Sequence, residues 1–118
     1  MALSFAPGDD LLFQIESGYG LLRVLAVEQR GSETVWHLLA YEDFFPSVEA
    51  AEAALRESDK LKVRAPHLAL TDRALERTPA ARLGNRPVTE SELAPYREWV
   101  RKGGEVSDRS VLLMLGIR

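Results

Sequence analysis

Two histidines, one adjacent pair of acids and one glycine-x-glycine step are the features of this chain whose residue types could carry chemistry. His37 falls within an alternating apolar run and His67 follows a proline. Neither has a second histidine two or four positions away, the spacing that sets two imidazoles on one metal from a strand or a helix. Each reads as a structural or exposed side chain rather than a catalytic one. Glu42-Asp43 could supply a general acid and base at a strand end, although a solvated loop explains the pair equally well. Gly18-Tyr19-Gly20 does not lead from a strand into a helix, so a dinucleotide loop is not supported. The serines have no histidine or lysine at a nucleophile signature. No catalytic residue, metal or cofactor is expected, and the chain reads as a non-enzyme.

Binding is the better category. Tyr19, Trp36, Tyr41 and Phe44, with Glu42 and Asp43, are the expected partner-binding residues, because aromatics beside charges anchor interfaces. For Trp36 and for one of the two phenylalanines, plain core is the competing reading, and Phe45 before Pro46 looks like a core plug.

The elements that must position these residues begin with a three-stranded meander. Leu11 to Ile15 and Leu21 to Val27 flank the glycine pair, which reads as a hairpin turn because glycine reaches positive φ without steric cost. Gly31-Ser32 makes a second turn into Thr34 to Tyr41. The middle run is apolar on both faces, interrupted only by Arg23, which marks a central strand covered on both sides. Met1 to Phe5 reads as a lead-in strand.

Ser47 caps a thin alanine-rich helix from Val48 to about Ser58. Leu61 to Thr71 reads as one edge strand broken by Pro66. Asp72 caps a short turn through Arg77, and Ala80 to Val88 reads as loop. Thr89 and Glu92 are spaced as a capping box. Pro95 then implies either a kink near Ala94 or a helix whose regular part starts at the proline. Tyr96, Trp99 and Val100 are expected to face inward. Asp108 caps Arg109 to Leu115, an apolar segment that is either buried or the contact of a homodimer.

The fold expected is α+β: a single domain over residues 1–118, with a bent antiparallel sheet or partial small β-barrel packed with two to three short helices. The 118 residues include no cysteine, which excludes disulfides and thiol chemistry. No run approaches the ~20 apolar residues that span a bilayer. With no secretory signal, the expected location is the cytoplasm.

Charge is unevenly spread. Residues 1–50 hold eight acids against two bases, a net −6, whereas residues 56–86 hold eight bases against four acids. Such a split could orient a partner. A nucleic-acid role would fall to Lys60, Lys62, Arg64, Arg73, Arg77, Arg82 and Arg86.

Pro7-Gly8-Asp9 through Gly18-Tyr19-Gly20 to Arg23-Val24-Leu25 resembles the opening of small β-barrels of the KOW and Tudor kind, which bind nucleic acid or protein. The acidic front half departs from that pattern where phosphate binding is concerned. Joined to Leu83-Gly84-Asn85-Arg86-Pro87-Val88, the same run is similar to a family of bacterial immunity proteins from polymorphic toxin systems. That resemblance implies a small cytoplasmic antitoxin that neutralises a toxin by direct contact. The acidic face would suit a basic toxin domain.

Overall fold

β2 (Gly18–Arg30) is the longest strand and the centre of the molecule. In the computed structural model, which describes residues 3–117, it is flanked by β1 (Asp9–Ile15) and β3 (Glu33–Tyr41). β4 (Val63–Thr71) and β5 (Ala80–Asn85) form the two edges, giving the order β4-β3-β2-β1-β5 with every pairing antiparallel. The sheet is open, not closed into a barrel, and helices cover both of its faces. This is an α+β fold.

Strand alternation explains the two-sided core. Leu11, Phe13, Leu22, Val24, Trp36, Leu38 and Leu70 meet on one face, under Ala74 and Leu75 of α2 (Asp72–Glu76) and Val111 and Leu115 of α4 (Val111–Leu115). Leu12, Leu21, Leu25, Leu39 and Tyr41 meet on the other, beneath Ala51 of α1 (Val48–Leu55) and Leu93 of α3 (Glu90–Lys102). Because successive side chains alternate, only a strand covered twice tolerates apolar residues at every position.

The caps follow local chemistry. Ser47 Oγ accepts from the Ala50 amide, and Thr89 and Glu92 form the expected capping box. Thr71, not Asp72, caps α2, and Ser110, not Asp108, caps α4. Asp108 instead accepts from the Thr71 hydroxyl and pairs with Arg73. α1 stops at Leu55, and a 3-10 turn over Ser58–Lys60 follows it. α3 starts at Glu90 and continues through Pro95, so its regular part does not begin at the proline. Val100 faces solvent at 53% exposure, against the expectation that it points inward.

Three further expectations are corrected. No strand precedes Asp9 among the described residues, Met1 and Ala2 falling outside them; Leu3 and Phe5 pack as irregular chain, with Phe5 edge-on to Trp36 at 6.2 Å. Ala80 to Asn85 is a strand rather than a loop, held by its pairing with β1 and not by any apolar alternation of its own. The first hairpin turn is Glu16-Ser17, since Ile15 pairs with Gly18. Gly18 and Gly20 therefore lie inside β2, and neither has positive φ.

Those two glycines are required by close approach instead. A Cβ on Gly18 would lie 2.4 Å from the Phe45 carbonyl oxygen, and one on Gly20 2.4 Å from the Phe13 ring. Gly20→Ala is expected to destabilise the fold by about 1–3 kcal/mol through overpacking. A lower urea midpoint at unchanged slope would show it, and an unchanged midpoint would contradict it.

Candidate functional site

Three of the buried polar side chains, Asp10, Arg23 and His37, anchor two clusters, both on the sheet face beneath α1 and α3. The first is built on Arg23, 1% exposed in the middle of β2. Its Nε donates to Glu92 Oε2 at 2.6 Å. Nη1 donates to the Gly8 carbonyl and to Asp10 Oδ1. Nη2 donates to the carbonyls of Arg86 and Pro87 and to Glu92 Oε1. A guanidinium has five N–H donors in a rigid fork, and this one finds partners for all of them.

Asp10, 2% exposed, also accepts from both Nε and Nη2 of Arg86, at 2.7 and 2.8 Å. The hydrogen bonds to Asp10 hold the Arg86 guanidinium well above its ordinary range. Arg86 Nη2 reaches the Tyr41 hydroxyl at 3.4 Å, and burial pushes that phenol up despite the nearby guanidinium. Burial also pushes the Glu92 carboxyl up, but hydrogen bonds from Arg23 and the Thr89 amide outweigh it and leave the group below its usual range. Arginine and acid alternate through this network, which ties β1, β2, the approach to α3 and the α3 cap together. Its donors and acceptors are spent on one another.

The second cluster joins the two histidines. His37, fully buried on β3, makes a 2.9 Å hydrogen bond through Nδ1 to His67 Nε2 and a 3.0 Å one through Nε2 to Glu28 Oε1. An ionised Glu28 can only accept, so His37 carries its proton on Nε2, and His67 then donates from Nε2 to His37 Nδ1. The rings stack at 5.1 Å, with Tyr96 and Trp99 of α3 packed against both. Arg30 sits over the Trp99 ring and hydrogen-bonds Glu28, which lowers that carboxyl. Burial lowers His37, more than Glu28 raises it. Burial and the neighbouring His37 drive His67 down to about 4. Among the described residues no group of three or more potential ligands converges on a metal position. Glu42 lies five residues beyond His37 along the chain leaving β3, about 17 Å at strand spacing, so it does not join this cluster.

The residues expected to bind a partner divide. Tyr19 and Phe45 exchange two 2.8 Å backbone hydrogen bonds, which carries the loop after β3 onto the start of β2. Tyr19, Glu42, Asp43 and Phe44 therefore meet at one end of the sheet, beside the Glu16-Ser17 turn. Phe44 is 43% exposed, Glu16, Glu42 and Glu49 are exposed, and Tyr19 and Asp43 are half-buried. Lys62 lies across from Glu42, whose amide bonds its carbonyl.

Trp36 and Tyr41 must be removed from that surface. Trp36, 3% exposed, sits on the opposite face of the sheet and donates from Nε1 to Asp72. Tyr41, 4% exposed, turns inward toward Arg86. The alternation that made both strand residues also buried them, because the sheet is covered twice.

The basic middle of the chain is dispersed. Its two strands are opposite edges, four strand spacings or about 19 Å apart. Lys60 pairs with Glu57 and Arg73 with Asp108, while Arg77 donates to the Asp108 carbonyl and Arg64 to that of Leu115. In α4, Val111 and Leu115 are buried but Leu113 and Met114 are 68% and 36% exposed, so the segment is core on one side and open on the other. No helix among the described residues is long and apolar enough to cross a membrane.

Comparison with protein-family models, curated proteins and solved structures found no match to this chain. The internal partners of Arg23 and of the histidines are what sequence reasoning missed. A lone arginine within a strand apolar on both faces was the available signal for the first, since a buried guanidinium must be paired. Nothing in the spacing joined His37 to His67 or to Glu28.

Proposed function

We propose that this chain is a non-enzymatic binding protein that acts by direct contact with another protein, through the end of the sheet formed by Tyr19, Glu42, Asp43 and Phe44. The observation that carries this reading is the two-bond bridge between Tyr19 and Phe45. It ties the loop that carries the exposed Phe44 and Glu42 to the start of β2, so that an anchor there loses less entropy on binding. The buried charges, by contrast, are satisfied internally.

The specific form of the proposal is a cytoplasmic bacterial immunity protein, with a basic toxin domain as partner; it rests on the resemblance of the β1–β2 segment and the Leu83 to Val88 segment. Nucleic-acid binding through Lys60, Lys62, Arg64, Arg73 and Arg77 is less well supported, because those cations are spread over different elements and several are already paired.

The test is protection. A toxin domain encoded beside this gene is expressed in a bacterial host with and without the chain. Growth is expected to return with the wild type and to be lost with Phe44→Asp, an exposed position whose change leaves the melting temperature within a few degrees. Protection by Phe44→Asp equal to the wild type would remove this surface from the account. Failure to protect against any neighbouring toxin would remove the immunity role.

A further inference from the structure

The two edges of the sheet are not alike. β4 is blunted: Pro66 interrupts its donors, and Ser107 runs parallel to its far half, bonding Ala69 and Thr71. β5 has neither device. Beyond its ladder with β1, none of the residues Ala80 to Asn85 makes a backbone hydrogen bond among the described residues. Ala81 and Arg82 are exposed, and a Cβ added to Gly84 would meet nothing within 4 Å. An open strand edge without proline or a covering segment is a template for another strand.

A hollow of about 420 Å³ opens beside the start of this edge, lined by Leu3, Phe5, Leu75, Glu76, Pro79 and Ala80. Thr78 contributes to its wall, 2% exposed and with no hydrogen-bond partner for its hydroxyl among the described residues. Buried hydroxyls are seldom left so. Ala80 pairs with Phe13 and Arg82 with Leu11, both on the face toward α2 and α4, so Ala80 and Arg82 point the same way two residues apart. The Arg82 side chain is 62% exposed and reaches Asp9 only at 3.8 Å.

We infer that the free edge of β5 accepts an extended segment of a partner protein as a sixth strand. This segment carries a large apolar side chain for the Leu3–Phe5–Leu75 hollow and, two residues away on the same face, an acidic side chain for Arg82. Main-chain bonds along an edge supply affinity in such strand addition, and alternate side chains supply specificity. The charge of Arg82 selects an acidic residue at its position, and the period of two fixes its distance from the apolar one. β5 begins at the same end of the sheet as Tyr19 but two strands away from it, and its test does not depend on the Tyr19–Phe44 reading.

Random decapeptides displayed on phage and panned against the immobilised full chain test the inference. Enriched peptides are expected to share an apolar residue and an Asp or Glu two positions apart, and to slow amide exchange over residues 79–86. Panning against Arg82→Glu is expected to replace the acid by Lys or Arg. A peptide selected on the wild type should bind that variant at least tenfold more weakly; Arg82→Gln, with an intermediate loss, serves should the reversal disturb Asp9. No enrichment, enrichment without the two-residue spacing, identical peptides from both baits, or protection elsewhere would overturn it. So would a dimer whose β5 amides are protected before any peptide is added, since the edge would then belong to a second copy of the chain.

Discussion

Arg23→Met is expected to cost about 3–5 kcal/mol of unfolding free energy, the largest effect of any single substitution considered for this protein. Methionine fills much of the arginine volume, so the loss is electrostatic rather than a cavity. Asp10 keeps Arg86, but Glu92 loses a bidentate partner and the carbonyls of Gly8, Arg86 and Pro87 lose their donors. Leaving such groups unpaired costs far more than the pair was worth. A domain of this size holds only about 5–15 kcal/mol in total, so the variant should be barely folded at 37 °C. Arg23→Lys should recover little, because one ammonium cannot span five acceptors. Arg30→Met supplies the contrast: its ion pair with Glu28 is solvent-exposed, and less than about 1 kcal/mol should be lost. Urea denaturation separates these outcomes, and equal midpoints for Arg23→Met and Arg30→Met would contradict the role given to the buried network.

Acid should unfold this protein earlier than its carboxylates alone require. His67 is held at about 4 in the folded state against 6.5 for a free histidine. Above pH 6.5 the ring is neutral in both states, so folding displaces no proton. Between pH 6.5 and 4 the unfolded chain binds a proton that the folded chain refuses, and stability falls as pH falls; below about 4 the loss is complete. That depression corresponds to about 3 kcal/mol, somewhat less for a ring only half buried. His37, also lowered by burial, acts in the same direction. Glu28, whose carboxyl Arg30 and His37 hold below 4.5, contributes its own loss only at more acid pH. His67→Gln, which still offers an amide donor to His37, is expected to flatten the slope of stability between pH 7 and 5. A slope unchanged by that substitution would show that the paired imidazoles do not titrate as their burial implies.

The scaffold was legible because its signals are local. Apolar runs, Gly31-Ser32, Ser47 and the Thr89/Glu92 box each act over a few residues, and each formed the element its chemistry dictates. β5 was not legible, because Ala80 to Asn85 has no pattern of its own and becomes a strand only against β1. Gly18 and Gly20 carried the opposite lesson. They read as a turn by composition, but their small size serves the contacts with Phe45 and Phe13, which no short-range rule announces. The candidate site was half legible for the same reason. Phe44, Glu42 and Tyr19 come together through the loop after β3, whereas the exclusion of Trp36 and Tyr41 depends on helices packed on both faces.

The central claim is that an exposed aromatic ring among acids, at the end of the sheet, is what another protein grips. Isothermal titration of the proposed partner, a basic toxin domain, into this chain at 0.05 and 0.5 M salt measures it most directly. Affinity is expected to fall at least tenfold with Phe44→Asp and to weaken with salt, because acids on this face meet bases on the partner. Binding indifferent to both Phe44→Asp and salt would contradict the claim.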